Sequence, residues 1–92
     1  MSLEITDVQI TLPKLYDCNE KLKCFANIIF NGIFIVKNLR VIEGTKGFFV
    51  VMPNQKKKDG SFQDIAHPLN DNFRRTIDDK VLEAYELALR NR

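Results

Sequence analysis

A chain of 92 residues with 45% apolar and 28% charged side chains is long enough for one thin-cored domain. That balance excludes a disordered tail. Fourteen Lys and Arg against twelve Asp and Glu leave a net charge of +2, well short of the basicity that marks an obvious nucleic-acid binder.

No apolar run approaches the ~20 residues of a membrane span, and no basic-then-apolar leader opens the chain. The expectation is a cytoplasmic protein that does not meet the membrane. Cys18 and Cys24 lie too far apart for a tight Cys-x2–4-Cys zinc pair, and His67 is the one further strong nitrogen ligand. Two reduced thiols are expected, with no metal and no cofactor.

Strand patterns fill the first four-fifths of the chain. Val8, Ile10 and Leu12 recur at period two within residues 3–12, and Pro13 closes that run. Residues 15–21 read as a loop. Over residues 23–30, Cys24, Ala26, Ile28 and Phe30 share one face while Phe25 and Ile29 occupy the other, which predicts a strand covered on both sides. Asn31-Gly32 follows, a dipeptide suited to a two-residue hairpin because both positions tolerate positive φ.

Residues 33–42 are rich in β-branched side chains and predict the third strand. Gly44-Thr45-Lys46-Gly47 then turns the chain into a fourth over 47–52. Residues 53–60 read as a polar loop ending in the turn pair Asp59-Gly60, and residues 61–66 as a short fifth strand. The fold class expected is α+β, a five-stranded antiparallel meander followed by one helix.

The period changes over residues 71–90. Asn70 or Asp71 supplies an N-cap, and Phe73, Ile77, Val81, Ala84 and Ala88 fall on one stripe. Tyr85, Leu82 and Leu89 widen that stripe to about half the circumference. One sheet needs less than that, so a second copy of the chain is expected, with a sheet that wraps the helix as the alternative.

Enzyme signatures are missing: there is no phosphate loop, no nucleophile elbow and no H-E-x-x-H. Asp64 and His67, with Ser61 or a cysteine as nucleophile, could form a relay, but a capping or packing role beside Pro68 explains them better. Gly44-x-x-Gly47 has the spacing of a nucleotide-clamping loop, yet its flanks read as strands, so it is a hairpin. Seven phenylalanines could stack bases on an open sheet, although core packing is the simpler use.

The cations are more informative. Lys56, Lys57 and Lys58 cluster between the last two strands where no core explains them, and Arg74-Arg75 sit at the helix start. Asp79, Glu83 and Glu86 on the polar face of the helix would repel a phosphate backbone. Any nucleic-acid contact should therefore fall on the lysine loop and the first helical turn. A solvated turn is the competing explanation.

Two stretches carry a family resemblance. They are Val41-Ile42-Glu43-Gly44 through Gly47-Phe48-Phe49-Val50-Val51-Met52-Pro53, and Asp59-Gly60-Ser61-Phe62-Gln63-Asp64-Ile65-Ala66-His67-Pro68-Leu69-Asn70. With Ile5-Thr6-Asp7-Val8, Arg74, Ile77, Val81 and Tyr85, they resemble the bacterial SpoVG (stage V sporulation protein G, septation regulator) family over nearly the whole chain. The resemblance implies one small α+β domain spanning residues 1–92, a homodimer, and site-specific DNA- and RNA-binding regulation of gene expression affecting septation and sporulation. Enzyme activity is not part of that picture.

The family's basic loop maps onto residues 54–58 and its helix-start arginine onto Arg74. Here the positions of Gln55 and Gln63, often basic in the family, are neutral, and charge is concentrated at Lys57 and Lys58 instead. The site expected is Lys56, Lys57, Lys58, Arg74 and Arg75 on phosphates, in a homodimer that binds DNA, RNA or both. A module that reaches cell division through a protein partner is the alternative.

Overall fold

The structure, a computed structural model, describes residues 3–13 and 21–91. Four strands form one antiparallel sheet in the order β1 (Ile5–Thr11), β2 (Leu22–Phe30), β3 (Phe34–Gly44) and β4 (Gly47–Val51). A separate two-stranded ribbon follows, β5 (Asn54–Lys56) paired with β6 (Phe62–Asp64), and then α1 (Asp71–Arg90). The class is α+β as expected. The loop expected over residues 15–21 lies, apart from Lys21, outside the described residues, as does Cys18.

The five-stranded meander is corrected to four strands plus a ribbon. Pro53 is the physical reason, because without an N–H it cannot extend a ladder and β4 stops at Val51. The chain then leaves the sheet as an arm. Asn54 pairs with Asp64, Gln55 with Gln63 and Lys56 with Phe62, so the segment expected as a loop supplies half of the ribbon. At its root Ile65 donates to the Pro53 carbonyl at 2.7 Å, and Arg40 on β3 donates to the Asn54 side-chain oxygen at 3.1 Å.

Turns and bulges are set by residues suited to them. Asn31 and Gly32 both have positive φ, and the Ile33 N–H returns to the Phe30 carbonyl at 3.0 Å. Asn31 is also tied to Glu4, since the two exchange backbone and side-chain bonds of 2.8 and 2.9 Å. A bulge in β3 opposes Lys37 and Asn38 to Asn27, with Asn38 left-handed at φ 71°. The Asn27 carbonyl oxygen of the side chain accepts from the Asn38 N–H, and its amide donates to Gln9, bracing three strands across the bulge.

The core lies on one face of the sheet. Cys24, Ala26, Ile28 and Phe30 alternate along β2 and are buried with Leu39, Val41, Val50 and Met52 against Ile77, Val81 and Tyr85 of the helix. Asn70 caps α1, its side-chain oxygen accepting from the Phe73 N–H at 2.7 Å. Phe30 and Phe73 pack with ring centroids 6.0 Å apart, joining the helix start to the sheet.

Among the described residues, nothing covers the opposite sheet face. Phe25, Ile35 and Phe49 there are 39, 40 and 47% exposed, so the expectation that β2 is covered on both sides is met on one side only. The apolar surplus expected on the helix is smaller than that on the sheet. Leu87 and Leu89 remain partly exposed while Phe73 and Leu82 pack on the core. Phe49 lies over Gly44, where an added Cβ would meet its ring at 2.9 Å.

Two outcomes follow. Replacing the cap in Asn70→Ala should lower the unfolding free energy by about 1 kcal/mol in urea denaturation, with the midpoint shifted and the slope unchanged. Burial pushes the Cys24 thiol up to about 11, against a smaller opposite pull from the Val41 backbone. In a Cys18→Ser protein at pH 8 a disulfide reagent should therefore label Cys24 only as fast as the chain opens.

Candidate functional site

The three lysines sit at the far end of the arm. Lys56 closes β5, and Lys57 and Lys58 enter the tip, where Lys57 N–H donates to the Ser61 carbonyl at 2.7 Å and Gly60 N–H to the Lys57 carbonyl at 3.1 Å. Gly60 takes the positive φ of 92° that this tight tip requires. All three lysines are exposed, and none is ion-paired among the described residues.

Asp59 is the countercharge at the tip, and it is tied to the loop itself. Its carboxylate accepts from the Ser61 hydroxyl at 2.6 Å and from the Ser61 N–H at 2.9 Å, which lowers its pKa. The acid thereby fixes the loop while the lysines project.

Arg74 and Arg75 part company. Arg75 is exposed, as a phosphate contact requires. Arg74 is half-buried and committed: its guanidinium donates to the Val50 carbonyl on the edge strand β4 and lies 3.4 Å from the Asp78 carboxylate. That geometry ties the helix start to the sheet. Of the five expected cations, the structure thus groups Lys56, Lys57 and Lys58, leaves Arg75 exposed at the helix start, and puts Arg74 in a structural contact.

The residues weighed as a hydrolytic relay are not assembled. Ser61 gives its single hydroxyl proton to Asp59, and His67 Nδ1 donates to the Pro68 carbonyl at 3.0 Å. Ser61 therefore has no proton to give to His67, so Ser61 is not activated by it. Asp64 and His67 do share a wall of an open cleft of about 660 Å³ between the arm and the helix start, along with Phe62, Leu69 and Arg74. This cleft was not foreseen from sequence, because its two walls come from segments expected to lie in one sheet and one helix.

A second hollow adjoins it. An apolar groove of about 450 Å³ runs between Phe30, Val36, Met52, Phe73 and Ile77, and shares residues 67–70 with the first cleft as a common rim. Leu69 on that rim is 94% exposed.

Comparison with known proteins is decisive for the family. Residues 3–87 match the SpoVG family model. The chain belongs to the SpoVG family. It is 46% identical over 85 residues to a protein of Bdellovibrio bacteriovorus, covering 91% of this chain and 79% of that one. A Clostridioides difficile protein is 44% identical over 87 residues, covering 95% and 91%, and an Archaeoglobus fulgidus protein 46% over 83, covering 90% and 94%. All three relatives bear the septation-protein name SpoVG. Among the described residues of this SpoVG protein, no helix is long and apolar enough to cross a membrane.

The Arg74–Asp78 pair gives a pH-dependent test. Burial raises the Asp78 pKa and outweighs the lowering by the Arg74 charge beside it. A raised folded-state pKa means that the native chain holds this proton more tightly than the unfolded chain does. The contribution of Asp78 to stability therefore falls as pH rises through the carboxylate range. Asp78→Asn should gain on the parent as pH increases, by under about 1 kcal/mol because the site is partly solvent-screened, in urea titrations at acidic and neutral pH.

Proposed function

We propose that this protein is a cytoplasmic regulator of gene expression that binds DNA or RNA as a homodimer and acts by binding rather than by catalysis. The role of its relatives, named for septation, is carried to it as the process it serves, with sporulation where the organism sporulates. No cofactor is needed for that work. One observation carries the reading: three consecutive exposed lysines at the tip of an arm that contributes nothing to the core.

Such a tip favours phosphate for two reasons. Clustered cations on a projecting loop release counterions when they meet a polyanion. The tip is also held in shape by Asp59 and Ser61, so the lysines lose less freedom on binding. Arg75, exposed at the helix start, provides a further phosphate contact. Arg74, engaged with Val50 and Asp78, positions the helix and leaves phosphate to the other four.

The departures from the family acquire a geometric meaning. Gln55 and Gln63 are direct cross-strand partners on the arm. A family member with two cations at those positions would present facing charges on one side of its ribbon. This chain presents an amide pair there and moves its charge to the tip. The proposed consequence is a contact that grips phosphate at the end of the arm, with base preference read elsewhere.

A reading through a protein partner is favoured by the open sheet face with Phe25, Ile35 and Phe49, which a partner of apolar surface would cover. It makes no use of the lysines, so the lysines discriminate. Lys56→Ala, Lys57→Ala and Lys58→Ala combined should weaken binding to duplex DNA and to single-stranded RNA of every sequence. In fluorescence anisotropy between 50 and roughly 200 mM salt, the slope of log affinity on log salt should flatten by ~2–3 on duplex. An unchanged slope would remove the arm tip as the phosphate site.

A further inference from the structure

The sheet face turned away from the helix has a pattern of its own. Cross-strand pairing sets Phe25 on β2 beside Arg40 on β3, and Arg40 beside Val51 on β4. Two residues along β4 from Val51 stands Phe49, paired with Ile42. On β1, Thr11 faces Phe25, and the next residues of this face, Gln9 and Asn27, are themselves a cross-strand pair whose amides meet. A guanidinium thus stands on the strand between two aromatic residues, with a row of amides beside it.

Both rings lie outside the core and keep an open side. Phe49 rests against Gly44, where an added Cβ would meet its ring at 2.9 Å, and the residue is still 47% exposed. Phe25, 39% exposed, sits in the row between Thr11 and Arg40. Two strand spacings and a two-residue offset put the two residues ~12 Å apart. They offer two separate surfaces rather than one sandwich.

Arg40 discriminates between occupants of this face. It is half-buried, gives one N–H to the Asn54 side chain, and has no carboxylate partner among the described residues. A guanidinium carries five N–H donors. An apolar protein surface laid here would seal the remaining donors away from water, together with the Gln9 and Asn27 amides. A nucleotide has no such drawback. Its base brings a π face to each ring and acceptors on its edge, and its phosphate brings a countercharge to Arg40. Lys37, exposed at the β3 bulge, adds a second cation, while the acid Asp7 lies toward the far end, paired with Ile29.

The face is also continuous with the lysine tip. Asn54, held by Arg40, begins β5, and that strand leads to Lys56 and the tip ~10 Å further on. One strand of nucleic acid can therefore lay phosphates on the tip and bases on the sheet. Only unpaired bases have ring faces free to do so.

We propose that the open sheet face is a base-stacking platform for single-stranded nucleic acid, with Phe25 and Phe49 each taking one unpaired base and Arg40 donating to the strand between them. The inference rests on the nucleic-acid half of the proposed function and supplies the base contacts that the lysine tip does not make.

Phe25→Leu combined with Phe49→Leu tests it, because the apolar bulk stays and both π faces go. In fluorescence anisotropy, affinity for oligo(U) and oligo(dT) of ~12 nucleotides should fall ~10–100-fold, with duplex affinity unchanged. Loss on oligo(U) alone would name RNA as the strand, and loss on oligo(dT) alone DNA. The salt slope should match that of the parent, since no cation is removed. An abasic strand of equal length, which keeps the phosphates, should bind parent and variant alike. Undiminished single-strand binding, or an equal loss on duplex, would overturn the platform and leave the lysine tip standing. A parent that binds neither single strands nor duplex overturns the platform and the nucleic-acid reading together.

Sedimentation equilibrium separates stacking from a protein contact. A mass that differs between variant and parent would assign the two phenylalanines to an interface between chains and sink the proposal. Phe49→Trp gives a second, milder readout, because the chain has no tryptophan of its own. Oligo(U) should quench the indole emission and the abasic strand should not. Equal quenching by both strands, or by neither, would rule out stacking at that position.

Discussion

One helix can cover only one face of a four-stranded sheet, and the rest of this molecule is organised by that limit. Cys24, Ala26, Ile28 and Phe30 of the second strand point at the helix, and every fully buried large side chain lies on that side. At roughly 25 cal/mol for each Å² of apolar surface removed from water, this single layer is the main driving force a small chain has. Phe25 and Ile29, on the reverse of the same strand, are apolar, and no second layer covers them among the described residues. A free apolar face and a thin core are two aspects of one shortage, and covering surface between chains relieves both.

Much of the fold was legible because it follows from local chemistry. Asn31-Gly32 announces its hairpin since both residues accept positive φ, and the period change after Asn70 announces the helix and its cap. The error at the fifth strand is equally physical. Alternation reports a buried face, and residues 54–56 have no buried face to report, so Asn-Gln-Lys reads as loop although it is paired. Pro53 carried the missing information. A residue without an N–H at the end of a strand marks where the ladder stops and the chain departs. The bulge at Asn38 was similarly hidden, because its support comes from Asn27 on the neighbouring strand.

The candidate site was legible in its charges and illegible in their employment. Three adjacent lysines are visible in any sequence, and they lie exposed together as expected. Arg74 and Arg75 look equivalent there, yet 100° of helix separates their directions, turning one toward the sheet edge and the other toward water. Arg74 occupies the Val50 carbonyl of an edge strand that is apolar, the kind of edge that invites unwanted pairing. Its partner Asp78 has an oxygen shielded from water with the Arg74 guanidinium 3.4 Å away, so the pair holds the helix start at some electrostatic cost. The cleft could not have been found in the sequence, since it exists only where arm, connection and helix start come together.

Charge on the ribbon is sorted by position. Lys56 is the sole cation among the paired residues, and its long apolar stem can lie along Phe62 while the ammonium stays hydrated. Lys57 and Lys58 lie beyond the last pair, at the exposed tip. Neutral Gln55 and Gln63 fit the same division, because two facing cations on the ribbon would repel each other across the strands. The short ladder is thereby kept free of like-charge repulsion while the outermost lysines carry no ion pair among the described residues, which is the arrangement that the proposed phosphate contact calls for.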